Sequence, residues 1–404
     1  MDPLLPVLHV TIDELDPELV VLRRDLHAHP ELSRLEVRTS RVVAERLRRA
    51  GLEPHELEGS GVVVDLGAEH PTYRVALRAD LDALPVPERT GLPWASTCEG
   101  VAHACGHDLH TTVVLGAGLA LATQQQALAD AGIAVRLIFQ PAEEVIPGGA
   151  HEVIDGGWLD GVDEVFALHS DPGRDVGEIG LLVGPVTAAS DSVEVTLKGH
   201  GGHTSRPHLT QDLTYALAKV VTDVPAALGR RVDPRSGAAL VWGSIHAGGA
   251  QNVIPSVGTA SGTLRMLDAG LWQEVGPLVQ ELVDAVVAPY AVTAELRYTQ
   301  GVPPVVNAAP SVESLRDGAQ AAGVVLGTTV QSLGGEDFAW YLTEVPGAMG
   351  RLGTRTPGGP TYDLHQGDLV VDERAIGCGA KVLVGAVLDA GRRHAQARLD
   401  VPTR

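Results

Sequence analysis

The sequence predicts an α/β chain of two domains: a mainly parallel sheet sandwiched by helices (α/β/α), and a smaller domain inserted into it. Three observations carry this reading. Short apolar runs alternate with helical periodicity over the first half of the chain, the pattern of a parallel sheet. Polar, reactive side chains follow the carboxyl ends of three of those runs, where open α/β sheets place their ligands. Near Pro185 the order changes to βαββαβ, the ferredoxin-like arrangement. A length of 404 residues suits two domains, read as 1–186 with 299–404 and, between them, 187–298.

In order, Asp16 to His29 and Ser33 to Ala50 read as amphipathic helices, the second stopped by Gly51. Val62–Leu66 and Tyr73–Ala79 read as strands, the second running into Asp80 and Asp82. The apolar run Thr111 to Ala122 reads as a helix with Asp108 as N-cap. Ile133–Phe139 is a continuous apolar strand that ends in Gln140-Pro141-Ala142-Glu143-Glu144, and Glu164–Leu168 is a strand closed by His169. In the insert, Ser192–Lys198, Ala239–His246, Val257–Met266 and Val292–Tyr298 read as strands, with helices at Thr210–Leu228 and Leu271–Val287. Gly301 to Pro304 reads as the return linker. Helices at Ser311–Ala321, Glu336–Leu342 and Asp372 to about Arg393 then resume the first domain.

Composition narrows the function. Apolar residues make up 44% but aromatics only 3%, so the core is aliphatic. The balance of 30 basic against 51 acidic side chains, a net charge of −21, opposes binding to nucleic acid or anionic lipid. Cys98, Cys105 and Cys378 are too few for a disulfide framework. The start, Met1-Asp2-Pro3 and an acidic stretch, lacks a basic leader region, and the longest strongly apolar run, Val113 to Ala122, falls far short of the roughly 20 residues of a membrane span. The expectation is a cytoplasmic protein with a small-molecule substrate.

The chemistry concentrates in His103-Ala-Cys105-Gly-His107-Asp108-Leu-His110. Imidazoles, a thiol and a carboxylate crowded together suit a metal, and thiolate with imidazole suits zinc and other borderline ions. Cys105 and His107 can face one ion from an extended turn, whereas helical spacing would splay them. A polar loop capping a helix is the plainer alternative. Glu143 and Glu144 are adjacent carboxylates, which point apart on an extended backbone and resist joint ionisation unless a cation compensates. Taken alone, a solvated helix start explains them as well. Cys105, His107, one of the two glutamates, His169 and His365 exceed the four ligands of a closed zinc site, which with Asp82 points to two ions.

Eight motifs then fall in order: Arg78-Ala-Asp-Leu-Asp-Ala-Leu-Pro85, the His103–His110 stretch, Gln140-Pro-Ala-Glu-Glu144, Gly199-His-Gly-Gly-His203-Thr-Ser-Arg-Pro-His208, Asn252-Val-Ile-Pro255, Gly262-Thr-Leu-Arg265, Gly335-Glu-Asp-Phe338 and the late His365. The set resembles the metal-dependent amidohydrolase and carboxypeptidase family that includes hippurate hydrolase, N-acyl-L-amino acid amidohydrolases and auxin-conjugate hydrolases. The resemblance runs from His27 to Glu373. It implies a metallopeptidase-like catalytic domain in which Cys105, His107, Glu144, His169 and His365 bind two divalent ions, Mn2+ or Zn2+. Glu143 is implied as general base and acid, and Asp82 as the residue that tunes the site. His203 is similar to a histidine that reaches a partner subunit's active site, and Asn252 and Arg265 match positions that hold the substrate's carboxylate or oxyanion. The insert is implied to be a lid and dimerisation domain, so a homodimer is expected. The expected reaction is hydrolysis of an N-acyl-amino acid by a metal-bridged hydroxide, with a dipeptidase or carboxypeptidase as the nearest rival and a non-catalytic binding protein the more distant one. Two departures stand out: Asp80 occupies a place where many relatives carry a ligand histidine, and His365-Gln-Gly-Asp-Leu replaces a Pro- and Phe-containing segment. His27, His29 and His110 read as supporting groups, His200 and His208 as surface residues, and Cys98 and Cys378 as buried thiols. Glu336 and Asp337 either steady His365 or start a helix.

Overall fold

The computed structural model describes Asp2–Leu399. Met1 and residues 400–404, at the ends of the expected first domain, lie outside the described residues. The chain divides into two compact units, Met1–Gly184 with Asn307–Val330 and Trp340–Arg404, and Pro185–Val306 with Gln331–Ala339.

The first unit holds an eight-stranded mixed sheet, in the order His55–Glu56, Val62–Gly67, Ile133–Gln140, Tyr73–Asp80, Glu164–Asp175, Gly347–Arg355, Glu178–Leu181, Val325–Thr328. Its four middle strands are parallel. Side chains alternate between faces along a strand, yet every residue of Ile133–Gln140 is buried, so both faces there are covered. The sequence reading missed the central strand Gly347–Arg355, which is poor in β-branched residues. Its glycines serve close approach: a Cβ at Gly347 would lie 2.2 Å from the Val165 carbonyl oxygen, and one at Gly353 would lie 2.0 Å from that of Asp175.

Helices pack against this sheet. Leu5–Ala28 begins well before the expected Asp16, because Pro6 suits a first helical turn and Pro17 is accommodated inside. Val37–Arg49 begins later than Ser33, since Arg34 is left-handed (φ 68°) and breaks the run. His107–Ala122 is buried from His107 to Leu121, as expected of a helix apolar on all sides. Its N-cap is Gly106 and not Asp108, whose carboxylate instead turns inward to Arg23 Nε (2.7 Å) and His27 Nδ1 (2.8 Å). Glycines let neighbours close on this helix: a Cβ at Gly116 would meet Leu19 at 2.7 Å and Ala380 of Ala375–Leu399 at 3.6 Å, and one at Gly118 would meet Leu137 at 2.1 Å.

The second unit is a four-stranded antiparallel sheet, ordered Ala239–Ala247, Val257–Met266, Ala189–Lys198, Thr293–Val302, with helices Leu213–Arg231 and Ala269–Val287. Ala189–Lys198 alternates cleanly: Val193, Val195 and Leu197 are buried while Ser192, Glu194 and Lys198 are exposed. Leu213 and Leu217 press on Gly258, so the helices take the apolar face. Asp212 and Asp268 cap the two helices by accepting from Tyr215 N–H and Leu271 N–H. The segment from Gln331 joins this unit through Ser332, whose N–H donates to the Val186 carbonyl at 2.8 Å and whose carbonyl accepts from Ala188 N–H at 3.0 Å. Among the described residues no helix is long and apolar enough to cross a membrane.

Candidate metal centre

The sheet of the first unit opens at the carboxyl ends of its middle strands. Tyr73–Asp80 pairs with Glu164–Asp175 only as far as Arg78 opposite Ala167, while its last residue, Asp80, stays paired with Gln140. His169, expected to close its strand, lies within it, just past the point where the neighbour has parted. The amino end of His107–Ala122 enters there. Gly106 is left-handed (φ 91°), and a Cβ on it would sit 2.9 Å from Ser170 Oγ, so the turn that aims Cys105 and His107 requires glycine. Thr111 Oγ donates to the Asp80 carbonyl at 2.8 Å and pins the helix to the strand end.

Overlapping sets of donor atoms result, the atoms of each set lying within 4.8 Å of one another, among them Cys105, His107 and His169; Cys105, Glu144 and His365; and His107, Glu143 and Glu144. Cys105 Sγ lies 3.6 Å from His169 Nε2, and Glu144 Oε1 lies 3.4 Å from His365 Nε2 and 3.7 Å from His107 Nε2. Glu143 Oε2 is 3.9 Å from the same His107 nitrogen. The two glutamates thus converge. Left-handed Ala142 (φ 55°) breaks the extended backbone on which neighbours would point apart. His365 is left-handed too (φ 60°), held by its N–H donating to the Ala104 carbonyl at 2.7 Å.

The donor set fits a cation. His107 Nδ1–H donates to the Asp82 carbonyl at 2.9 Å, and Nε2 is buried without a hydrogen bond, facing two carboxylates. That arrangement is repulsive unless positive charge sits among them. Burial opposes a proton on His107, yet Asp80, Cys105 and Asp82 together push its pKa well up, so the surroundings favour positive charge at this ring. Burial pushes the Cys105 thiol up, and the thiolate likewise requires compensation. Sulfur, imidazole and carboxylate together match zinc and neighbouring borderline ions better than calcium or magnesium. Asp82 accepts from Ser33 Oγ at 2.6 Å and from Glu144 N–H at 2.9 Å. Burial would raise Asp82, but His107, Ser33 and that N–H outweigh it and keep the carboxylate charged.

The other sequence-derived candidates separate. His110 has both ring nitrogens hydrogen-bonded, Nδ1 to Asp80 at 2.7 Å and Nε2 to the Ser170 N–H at 2.8 Å. His27 is buried between Asp108 (2.8 Å) and Glu88 (3.2 Å), and His29 binds the Asp25 carbonyl at 2.8 Å. Glu336 Oε1 accepts from Phe338 N–H at 3.0 Å, at the start of the helix Phe338–Glu344. Cys98 is exposed and Cys378 half-buried, so neither is the buried thiol expected. In the second unit His203 and Asn252 are exposed neighbours: Gly202–His203 pairs with Val253–Ile254, and Thr204 N–H donates to the Asn252 carbonyl at 3.2 Å. Arg265 lies near the far end of Val257–Met266, where its guanidinium donates to the Leu333 carbonyl. His200 and His208 are exposed. Sequence reasoning passed over Ser33 and Ser170, because single serines carry no spacing signal.

Residues 76–389 match Peptidase family M20/M25/M40. A Rhodococcus jostii protein named "Putative glutamate--cysteine ligase 2-3" is 48% identical over 92% of this chain, which spans only 46% of that protein's length. The N-acetyl-L-cysteine deacetylase of Bacillus subtilis is 36% identical over 91% of this chain and 86% of its own. The crystal structure of a Bacillus subtilis dinuclear metal binding peptidase from the M20 family superposes with a TM-score of 0.83 at 31% identity, covering 94% of this chain and 99% of that one. The chain belongs to Peptidase family M20/M25/M40, a family of metal-dependent hydrolases of amide bonds.

Proposed function

We propose that this chain hydrolyses the amide bond of N-acyl amino acids with two divalent ions held by Cys105, His107, Glu144, His169 and His365. The observation that carries this is His107 Nε2, buried without a hydrogen bond beside both Glu143 and Glu144. One carboxylate balances the cations while the other remains a base at the same spot. When bound, such ions polarise an acyl carbonyl and acidify a water. Glu143 takes the proton from that water and delivers it to the departing amine. Asp82 fixes the His107 tautomer through its carbonyl and steadies Glu144 through its carboxylate. The N-acetyl-L-cysteine deacetylase supports an N-acyl amino acid as substrate.

We assign His203 to the developing oxyanion, and Asn252 and Arg265 to the substrate's carboxylate, with the second unit as a lid that also dimerises. His203 and Asn252 lie past the end of the sheet where Lys198 pairs with Val257, whereas Arg265 pairs with Ser190. Eight strand residues at about 3.3 Å each put roughly 26 Å between those ends. One small substrate does not span that gap, so one copy supplies Arg265 and its partner supplies His203 and Asn252. The edge strand Ala239–Ala247 offers the pairing surface: it carries no Lys, Arg, Asp, Glu or Pro, and exposes Val241 and Ile245. Three free cysteines suit a reducing, cytoplasmic setting.

The test is a panel of N-acetyl, N-benzoyl and indole-acetyl amino acids beside dipeptides, assayed with zinc, manganese and cobalt. Acyl amino acids should turn over fastest. Turnover of dipeptides alone would reassign the chain to a dipeptidase, and no turnover with any of the three metals would overturn the reading.

A further inference from the structure

Asp80 and His110 sit under the donor cluster, and His110 belongs to a set of potential ligand atoms with Asp80 and His107. Its hydrogen bonds assign it a different task. His110 Nε2 accepts the Ser170 backbone N–H at 2.8 Å, so that nitrogen carries no proton and has its lone pair engaged. The proton is on Nδ1, which donates to Asp80 Oδ1 at 2.7 Å. The other Asp80 oxygen accepts from Arg78 Nη1 at 2.7 Å, and Arg78 Nε donates to Gln140 Oε1 at 2.9 Å, the residue that leads into Glu143 and Glu144. All four of these side chains are buried.

Ser170 is the junction this chain of bonds reaches. Its Oγ donates to the Cys105 carbonyl at 2.7 Å, and its own carbonyl accepts the His169 Nδ1–H at 2.8 Å. The His110 ring also packs against those of His107 and His169, with centroids 5.3 and 4.9 Å away. One backbone position therefore sets the tautomer of His169 and the height of the loop that bears Cys105.

We propose that His110, oriented by Asp80, is a positioning residue for Cys105 and His169: it acts as a hydrogen-bond acceptor for Ser170 and not as a metal ligand. This rests on the reading of those two residues as ligands. It gives Asp80 a role that requires a carboxylate, since only an acceptor there fixes the proton on Nδ1 and leaves Nε2 bare. A histidine at Asp80 would supply no such charged acceptor to Arg78.

Cobalt alone is the probe, because a cobalt–thiolate bond absorbs in the near ultraviolet and reports Cys105 directly. Asp80→Ala would leave Arg78 buried without its carboxylate, so His110 carries the test. His110→Gln keeps an acceptor near the Nε2 position and loses the bond to Asp80. His110→Asn keeps a donor to Asp80 and loses the acceptor for Ser170. Wild-type apoprotein titrated with Co2+ should show the thiolate band, and Cys105→Ala should abolish it. His110→Asn should weaken Co2+ binding about 10–100-fold and diminish the band, as loss of an outer hydrogen bond to a ligand does. His110→Gln should stay within about threefold of wild type, a smaller loss than that range. A His110→Asn protein with wild-type band and affinity would overturn the proposal while leaving the ligand assignment standing, and so would equal losses in the two variants. No thiolate band in the wild type would instead remove the ligand assignment, and the proposal with it.

Discussion

His107 and Glu144 face each other across 3.7 Å, Nε2 to Oε1, while the other ring nitrogen donates to the Asp82 carbonyl at 2.9 Å. The ring therefore keeps its Nδ1 proton on that carbonyl and holds Nε2 buried beside a carboxylate without a hydrogen bond. That pairing needs positive charge on or beside Nε2, a proton while the donors are empty and a metal ion once they are loaded.

The two glutamates should part company on mutation. Glu143→Gln removes basicity and keeps shape, so turnover should fall by about 10²–10⁴-fold, the usual worth of a positioned base, with metal content near normal. Glu144→Gln should lose metal. Metal analysis beside steady-state kinetics decides it, and reversed phenotypes would mean that the roles are exchanged.

Metal uptake should strengthen with pH. Burial pushes the Cys105 thiol up, and Asp80, Cys105 and Asp82 push His107 up despite its burial, so the empty donors carry protons that a metal must displace. Each displaced proton makes apparent affinity rise about tenfold per pH unit. Calorimetric titration between pH 6 and 8, in buffers of different ionisation enthalpy, should record proton release. A pH-independent affinity would contradict the protonated resting state.

Much of the first unit could be read from periodicity, since apolar runs such as Ile133–Gln140 and the His107–Ala122 helix are long and uninterrupted. The strand Gly347–Arg355 could not, because its glycines answer to the carbonyls of Val165 and Asp175, which lie far away in sequence. The donor residues were legible as types crowded in motifs. Their arrangement was not: the convergence of Glu143 and Glu144 depends on a left-handed alanine, and the hydrogen bond that engages His110 Nε2 comes from a backbone N–H on a strand distant in sequence. Asp108 misled as an N-cap because Gly106 had already turned the chain.

That glycine strand supplies a stability prediction. Gly353→Ala forces a Cβ against backbone and should destabilise the fold by about 1–3 kcal/mol. Gly229→Ala, exposed on the helix Leu213–Arg231 with nothing near the added Cβ, should stabilise by about 0.5–1 kcal/mol. Chemical denaturation of both reads the signs, and a neutral Gly353→Ala would show that the strands can move apart.

The dimer reading predicts complementation. His203→Ala and Glu143→Gln homodimers should each be nearly inactive, and mixing them should restore one working site per heterodimer. An active monomer, or no recovery despite proven subunit exchange, would rule out a histidine acting across the interface.

The most direct test of the two-ion centre is metal stoichiometry by elemental analysis, after loading and removal of free ions. Wild type should hold two divalent ions per chain. Cys105→Ala and His169→Ala should each hold fewer, and His107→Ala, whose Nε2 faces both glutamates, should lose most of its metal. Full occupancy in all three variants, or none in the wild type, would contradict the account.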